Sequence, residues 1–196
     1  FSFSNIINNN SSFDSLGYYK NYNTNIKEQI LINNFNFQTI PKYFNNGVIN
    51  ENKFLLKNVN SKAKNSENFE NEMTNTLLPT IQSTYTFPLK KETEKFDNTL
   101  TPKLSLKLSP DYTRDIRNRN EGRIDYFNIY DIDRLGIDVA NEGGISATYG
   151  YEYTKLDKSI FAQKLKFGFA NNLRLSENKD LPSHTNLGDK VSDFVG

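Results

Sequence analysis

Apolar and polar residues take turns along much of this chain, and a 3.6-residue helical period is hard to find. In 81–89, Ile81, Tyr85, Phe87 and Leu89 share one side while Gln82, Thr84 and Thr86 share the other. Over 104–108 three leucines alternate with Ser105 and Lys107. From 145 to 153, Ile145, Ala147, Tyr149, Tyr151 and Tyr153 face one way; Ser146, Thr148, Gly150 and Glu152 face the other. The stretch 161–175 repeats this. Phe161, Leu165, Phe167, Phe169, Leu173 and Leu175 stand opposite Ala162, Lys164, Lys166, Gly168, Ala170, Asn172 and Arg174. Weaker versions occupy 30–37 and 54–59. The patterns predict antiparallel β-structure throughout.

The intervals between these strands alternate in length. Thr154–Ser159 ("TKLDKS") reads as a tight polar turn, and 91–98 ("KETEKFDN") is little longer, whereas 61–75, 110–141 and 176–193 read as long polar loops. Alternation of long and short is the rhythm of a transmembrane barrel, and the clearest strands span the about 9–11 residues, or more, that a tilted strand needs to cross a bilayer. Tyr18, Tyr19, Tyr151 and Tyr153 are expected toward strand ends, where an amphipathic ring suits a membrane interface. Lysines on one face of 161–175, with Phe and Leu on the other, fit water on one side and lipid on the other. A soluble antiparallel sheet with one wet face shows the same alternation.

Composition narrows the choice. Only 36% of the 196 residues are hydrophobic and the mean hydropathy is -0.70, yet aromatics reach 13%. Simple disorder is therefore a poor description. Asparagine makes up roughly one residue in seven, which we read mainly as the codon bias of an AT-rich genome and secondarily as turn chemistry. The net charge of +1 gives no basic excess that would ask for nucleic acid, and without cysteine the chain offers neither disulfides nor thiolate metal sites. There is no apolar run long enough for a transmembrane helix. Because the chain opens on Phe1 and stops at Gly196 just after what reads as a strand start, we expect a piece of a longer protein.

Candidate chemistry is sparse. His184, the lone histidine, has no second His or Cys to complete a metal site or a catalytic pair. Asp131, Asp133 and Asp138 lack the Gly and Glu spacing of a calcium loop, so solvated or Arg-paired carboxylates are the plainer reading. Gly143-Gly144 precedes a strand rather than a helix, which argues against a phosphate cradle and for a strand entry. Arg114, Arg117, Arg119 and Arg123 interleave with Asp111, Asp115, Glu121 and Asp125. That patch reads as a self-paired loop, with phosphate binding as the sharper alternative. No catalytic constellation and no cofactor site emerge.

Several stretches read in order resemble one family. They are Ile30–Asn60, "LLPTIQSTYTFPL" (Leu77–Leu89), "LTPKLSLKLSPD" (Leu100–Asp111), Phe127–Tyr153 and Phe169–Gly196. The most specific pieces are "LTPK", the D-R-x7-E-G-G-x4-Y-G run from Asp133 to Gly150, and "SDFVG" at the end. The succession is similar to the central part of the barrel domain of the LPS-assembly outer-membrane protein family (LptD, organic solvent tolerance protein), alphaproteobacterial type. The chain departs from the family in lacking the periplasmic jellyroll and the disulfide cysteines known in enterobacterial members.

The resemblance implies a fold and a role: an all-β, antiparallel transmembrane barrel in the bacterial outer membrane, of which residues 1–196 form one part. No catalysis is implied. Such a barrel receives lipopolysaccharide from periplasmic Lpt bridge proteins, holds an LptE-like lipoprotein plug, and delivers the lipid into the outer leaflet. Ser146, Thr148, Glu152, Lys164, Lys166 and Arg174 would face the lumen, while Phe and Leu stripes meet outer-membrane lipid. Arg134 and Glu142 would pin the 110–141 loop over or into the lumen, with both long loops extracellular. Gly143 and Gly144 would mark its re-entry into the wall, and Tyr149 and Gly150 complete the structural candidates. A porin or solute receptor, or a secreted β-rich surface protein, remains the alternative.

Overall fold

The computed structural model describes residues 2–8, 10–118 and 123–196 as an all-β chain whose ten strands form one antiparallel sheet. The strands are β1 (Ser2–Asn8), β2 (Ser11–Asn21), β3 (Lys27–Gln38), β4 (Lys42–Tyr43), β5 (Ile49–Lys64), β6 (Thr74–Thr86), β7 (Leu89–Glu92), β8 (Phe96–Ser109), β9 (Gly144–Asp157) and β10 (Ala162–Arg174). They run side by side in the order β1-β2-β3-β5-β6-β8-β9-β10, with the short β4 against β5 and β7 against β8. Neighbours in the sheet thus follow the chain, as in a meander. No pairing joins β1 to β10 among the described residues, so the sheet is open.

The strands outrun the pattern that marks them. Residues 154–157 continue β9 and pair with Phe96–Thr99 of β8, so the tight turn is 158–161 rather than 154–159. No Gly or Pro interrupts period two there, and Asp157 ends the strand by accepting bonds from the Ser159 amide (3.0 Å) and hydroxyl (2.6 Å). Phe161 belongs to this turn, at φ +48°, and not to β10. Similarly, 91–98 shrinks to a turn over 93–95, and the loop read as 61–75 shrinks to 65–73. β1 and β2 lack a clean alternation, so periodicity does not mark them. Tyr18 and Tyr19 do lie near the end of β2, but Tyr151 and Tyr153 fall inside β9.

Antiparallel alternation puts the segments 22–26, 65–73, 110–143 and 175–190 at one end of the sheet and 39–48, 93–95 and 158–161 at the other. The two long segments at the first end fold back over one face. Ile116, Leu135, Ile137, Val139 and Ala140 from 110–143, with Leu181 and Leu187 from 175–190, pack on Ile30, Ile32, Val59 and Ala63 of β3 and β5. The long loops therefore carry half of the apolar core, although they read as polar. The two segments are tied together by Ile116 N–H to Asp180 O (2.9 Å) and Asn178 Nδ2 to Thr113 Oγ1 (2.7 Å).

The sheet's two faces differ in an unusual sense. On the covered face of β8–β10, the buried residues are polar or small: Ser105, Lys107, Ser146, Thr148, Asn172 and Arg174. On the open face of the same strands the exposed ones are Leu104, Leu106, Leu108, Ile145, Tyr149, Tyr151, Phe167, Phe169 and Leu173. A water-soluble sheet with one wet face does the reverse. The open face of β2–β6 differs again. There Ser15, Asn33, Asn58, Asn60 and Asn75 form a hydrogen-bonded network, across strands from Asn75 Nδ2 to Asn60 Oδ1 at 2.7 Å and along β5 from Asn60 Nδ2 to Asn58 Oδ1 at 2.6 Å. These asparagines are sheet residues, not turn formers.

Candidate functional site

The covered face is organised around one carboxylate. Glu142 is the last residue but one of the 110–143 segment, and its side chain is 1% exposed. Its Oε1 accepts from Arg134 Nη2 (2.6 Å) and from Arg174 Nη1; its Oε2 accepts from Arg134 Nε (2.7 Å) and Lys107 Nζ (3.0 Å). Strand period two delivers Lys107 from β8 and Arg174 from β10, while Arg134 arrives from the loop. Burial alone would push the Glu142 carboxyl up, but the facing Arg134, Lys107 and Arg174 charges together hold it below the usual carboxylate range.

Arg134 is the hub of a wider network. Its guanidinium also donates to Ile129 O (3.1 Å), Thr148 Oγ1 (2.9 Å), Ser146 Oγ (3.2 Å) and Asn172 Oδ1 (3.0 Å). The planar fork thereby ties the loop to β9 and β10 at once. Beside it, Lys57 of β5 is 1% exposed and donates to Asp133 Oδ2 (2.8 Å), Ile137 O (2.9 Å) and Ala140 O (3.0 Å). Asn141 Nδ2 donates to Thr80 Oγ1 of β6, and Gln82 Nε2 reaches Tyr130 O at 2.9 Å. Every long strand from β5 to β10 thus contributes a polar contact to the loop. Such a clamp fixes position, and no group of three or more His, Asp or Glu that could hold a metal ion occurs among the described residues.

Two glycines make room for the loop's tyrosines. A Cβ on Gly168 would run into the Tyr126 ring, and one on Gly150 would strike Tyr130 Oη (2.6 Å) and Phe169 O. Burial and the Glu152 carboxylate push the Tyr126 phenol up to about 12, and burial also raises that of Tyr130. Gly143 approaches Pro110 O and Tyr112 O too closely for a side chain, and Gly144 has φ +90°, so the pair at the loop's re-entry needs glycine. Beyond the tyrosines the face is less covered. A hollow of 390 Å³ opens there, lined by Glu51, Lys53, Thr84, Lys103 and Glu152 among others.

The candidates read from sequence separate into three groups. Arg134, Glu142, Gly143, Gly144, Ser146, Thr148 and Arg174 come together in the clamp, and Gly150 lies under Tyr130. Glu152 and Lys166 form their own pair at 3.2 Å on the uncovered part of the same face. Tyr149 is not in the cluster: odd parity puts it on the open face, 40% exposed. Lys164 sits at a bulge between Gln163 and Leu165, 4.0 Å from Asp157, away from the clamp.

The other expectations sort similarly. Asp133 pairs with Lys57 rather than with an arginine. In the Arg/Asp patch Arg117 pairs with Asp115 at 2.6 Å and Arg114 stacks on Phe69 at 4.0 Å, while Arg119 and Glu121 lie outside the described residues. His184 is exposed in a 3-10 turn.

Lys57, Asn141, Tyr126 and Tyr130 belong to the site but are not among the candidates that the sequence pattern yields. A signal existed for Lys57, a lone charge inside "FLLKNV", and for the tyrosines, whose partners are glycines on strands. Comparison of the chain with protein-family models and with curated proteins gives no match.

Proposed function

We propose that this chain is part of the wall of a bacterial outer-membrane β-barrel, with the clamped 110–143 segment folded into the lumen, and that the barrel inserts lipopolysaccharide into the outer leaflet. The observation that carries the membrane reading is the inversion of the sheet: leucines, tyrosines and phenylalanines exposed on one face, paired charges buried on the other. Strand length agrees. β3, β5, β6, β8, β9 and β10 have 12 to 16 residues, more than the about 9–11 that a tilted strand needs to cross hydrocarbon. That no described helix is long and apolar enough to cross a membrane does not bear on a barrel.

The lipopolysaccharide role rests on the family resemblance of the sequence, and the clamp gives it a physical part. A loop fixed by five buried ionic groups (Lys57, Lys107, Arg134, Glu142 and Arg174) keeps the lumen partly filled without closing it, leaving the hollow between Lys103 and Glu152 for a plug or for polar sugar-phosphate groups. The long-loop end would be extracellular. Periplasmic Lpt proteins would supply the lipid, and an LptE-like lipoprotein would occupy the lumen.

Depletion of the full-length protein tests the role. Lipopolysaccharide should disappear from the outer leaflet, and replacement of Arg134 by Ala should reduce both plug retention and surface lipopolysaccharide. Unchanged surface lipopolysaccharide on depletion would remove the assignment. A small-solute permeability defect alone would favour a porin-type barrel, a second reading that the loop folded across a charged face also supports.

A further inference from the structure

The open face of β2, β3 and β5 grades in polarity from the long-loop end inward, one cross-strand row at a time. The outermost row is Asn21–Lys27–Lys64 and the next is Tyr19–Gln29–Lys62. Then come Gly17–Leu31–Asn60 and Ser15–Asn33–Asn58, followed by Phe13–Phe35–Leu56. All these residues share the outward parity of their strands. Lys27, Lys62 and Lys64 are exposed, and none has an ion pair among the described residues. Where Gly17 stands without a side chain, a groove of 700 Å³ opens, walled by Tyr19, Leu31, Asn60 and Met73.

This sequence of chemistries is confined to one part of the wall. On β8–β10 the open face is apolar as far as Leu108 and Ile145, next to the long loops. Ser15, Asn33, Asn58 and Asn60 fill the middle rows here with side chains that hydrogen-bond one another, where a wall that meets only hydrocarbon would carry apolar ones. Three cations, then a groove, then amides, then phenyl rings match one kind of molecule in order. A phosphate would sit at the lysines, the amide or ester linkages against Asn60, Asn58 and Asn33, and acyl chains on Phe35 and Leu56.

We propose that the open face of β2–β5 is a binding site for a phosphorylated membrane lipid of the leaflet on the long-loop side, juxtaposing the Lys27/Lys62/Lys64 rim with the Gly17 groove. The site rests on the reading of this face as lipid-exposed.

The test uses the full protein in nanodiscs containing equal amounts of phosphatidic acid and phosphatidylcholine of the same chains. Heat-modifiable migration reports insertion, and native mass spectrometry counts retained lipids. The site predicts preferential retention of phosphatidic acid, reduced about fivefold by each of Lys27→Gln and Lys62→Gln, with Lys179→Gln, exposed in the 175–190 segment, having no effect. Equal retention of both lipids by an inserted protein would overturn the site and leave the barrel standing, as would retention unaffected by the rim variants. Failure of the protein to insert would overturn both readings. The single variants change exposed side chains, so their heat-modifiable migration should match that of the unmodified protein.

Discussion

Glu142 is the residue on which the covered face turns. Three cations converge on it, so removing its charge strands them in a site from which water is excluded. Glu142→Gln should destabilise the docked loop by about 3–5 kcal/mol, the usual cost of breaking one partner out of a buried ionic cluster. Protease sensitivity of 110–143 reads this directly. The pH dependence has a definite sign. The folded carboxyl is held below its ordinary value of about 4.3, so its stabilising contribution is complete above that pH and declines as pH falls below it toward the folded value. Protease resistance should therefore be flat from pH 7 to about 4.5 and fall below, with Glu142→Gln removing most of that acid slope. A slope of the same size in the variant would assign it to other carboxylates. At this scale the sequence was partly legible. Lys107 and Arg174 stand on the polar side of clear alternations, and Arg134 and Glu142 flank a short apolar run. Lys57 is legible only as a lone charge inside an apolar run; its pairing is not, because its carboxylate partner, Asp133, lies 76 residues away and nothing local announces it.

Among elements, the 110–143 segment teaches the most. Its described residues form no helix or strand, yet they contribute core side chains, charge and two aromatic rings to the sheet. "RLGIDVA" alternates Leu135, Ile137 and Val139 with Gly and Asp, a strand-like pattern that here feeds a folded loop rather than a ladder. Periodicity identifies which side chains share a side; it does not say whether a neighbouring strand or a returning loop covers them. For the same reason the strand centres were readable and their ends were not. Ladder pairing carries a strand past the end of its apolar-polar alternation where no Gly or Pro stops it, as 154–157 shows. The glycine contacts give this docking a test. Gly168→Ala should cost about 1–3 kcal/mol by overpacking against Tyr126, and Tyr126→Ala in the same chain should recover most of it. Gly150→Ala should not be recovered by Tyr130→Ala, because its Cβ also meets the Phe169 carbonyl of the adjacent strand. Equilibrium unfolding of the four variants in one detergent would distinguish the cases. Equal rescue at both sites would show that the two rings are not seated as described.

For the whole molecule, the deciding quantity is which solvent touches the open face. With Leu104, Tyr149 and Phe169 exposed and Lys107, Arg134, Glu142 and Arg174 buried, the chain has spent its charge where a soluble sheet would place its core. In water that arrangement leaves a large apolar patch of the kind that drives association; in a bilayer it is the low-energy one. A single substitution separates the two. Leu104 is flanked on this face by Tyr85 of β6 and Tyr149 of β9. Leu104→Arg should therefore reduce the free energy of folding into lipid vesicles by about 2–4 kcal/mol if the residue meets the middle of the hydrocarbon. Thr101→Arg, three residues along on the opposite and partly open face, should cost little, since the added charge can reach the water around Lys103 and Glu152. If Leu104→Arg is neutral while the protein remains folded, the face meets water. The barrel reading would then give way to a secreted sheet protein whose apolar face is covered by a partner. If the two arginines differ as predicted, the alternation along β8 has assigned lipid to one side and water to the other.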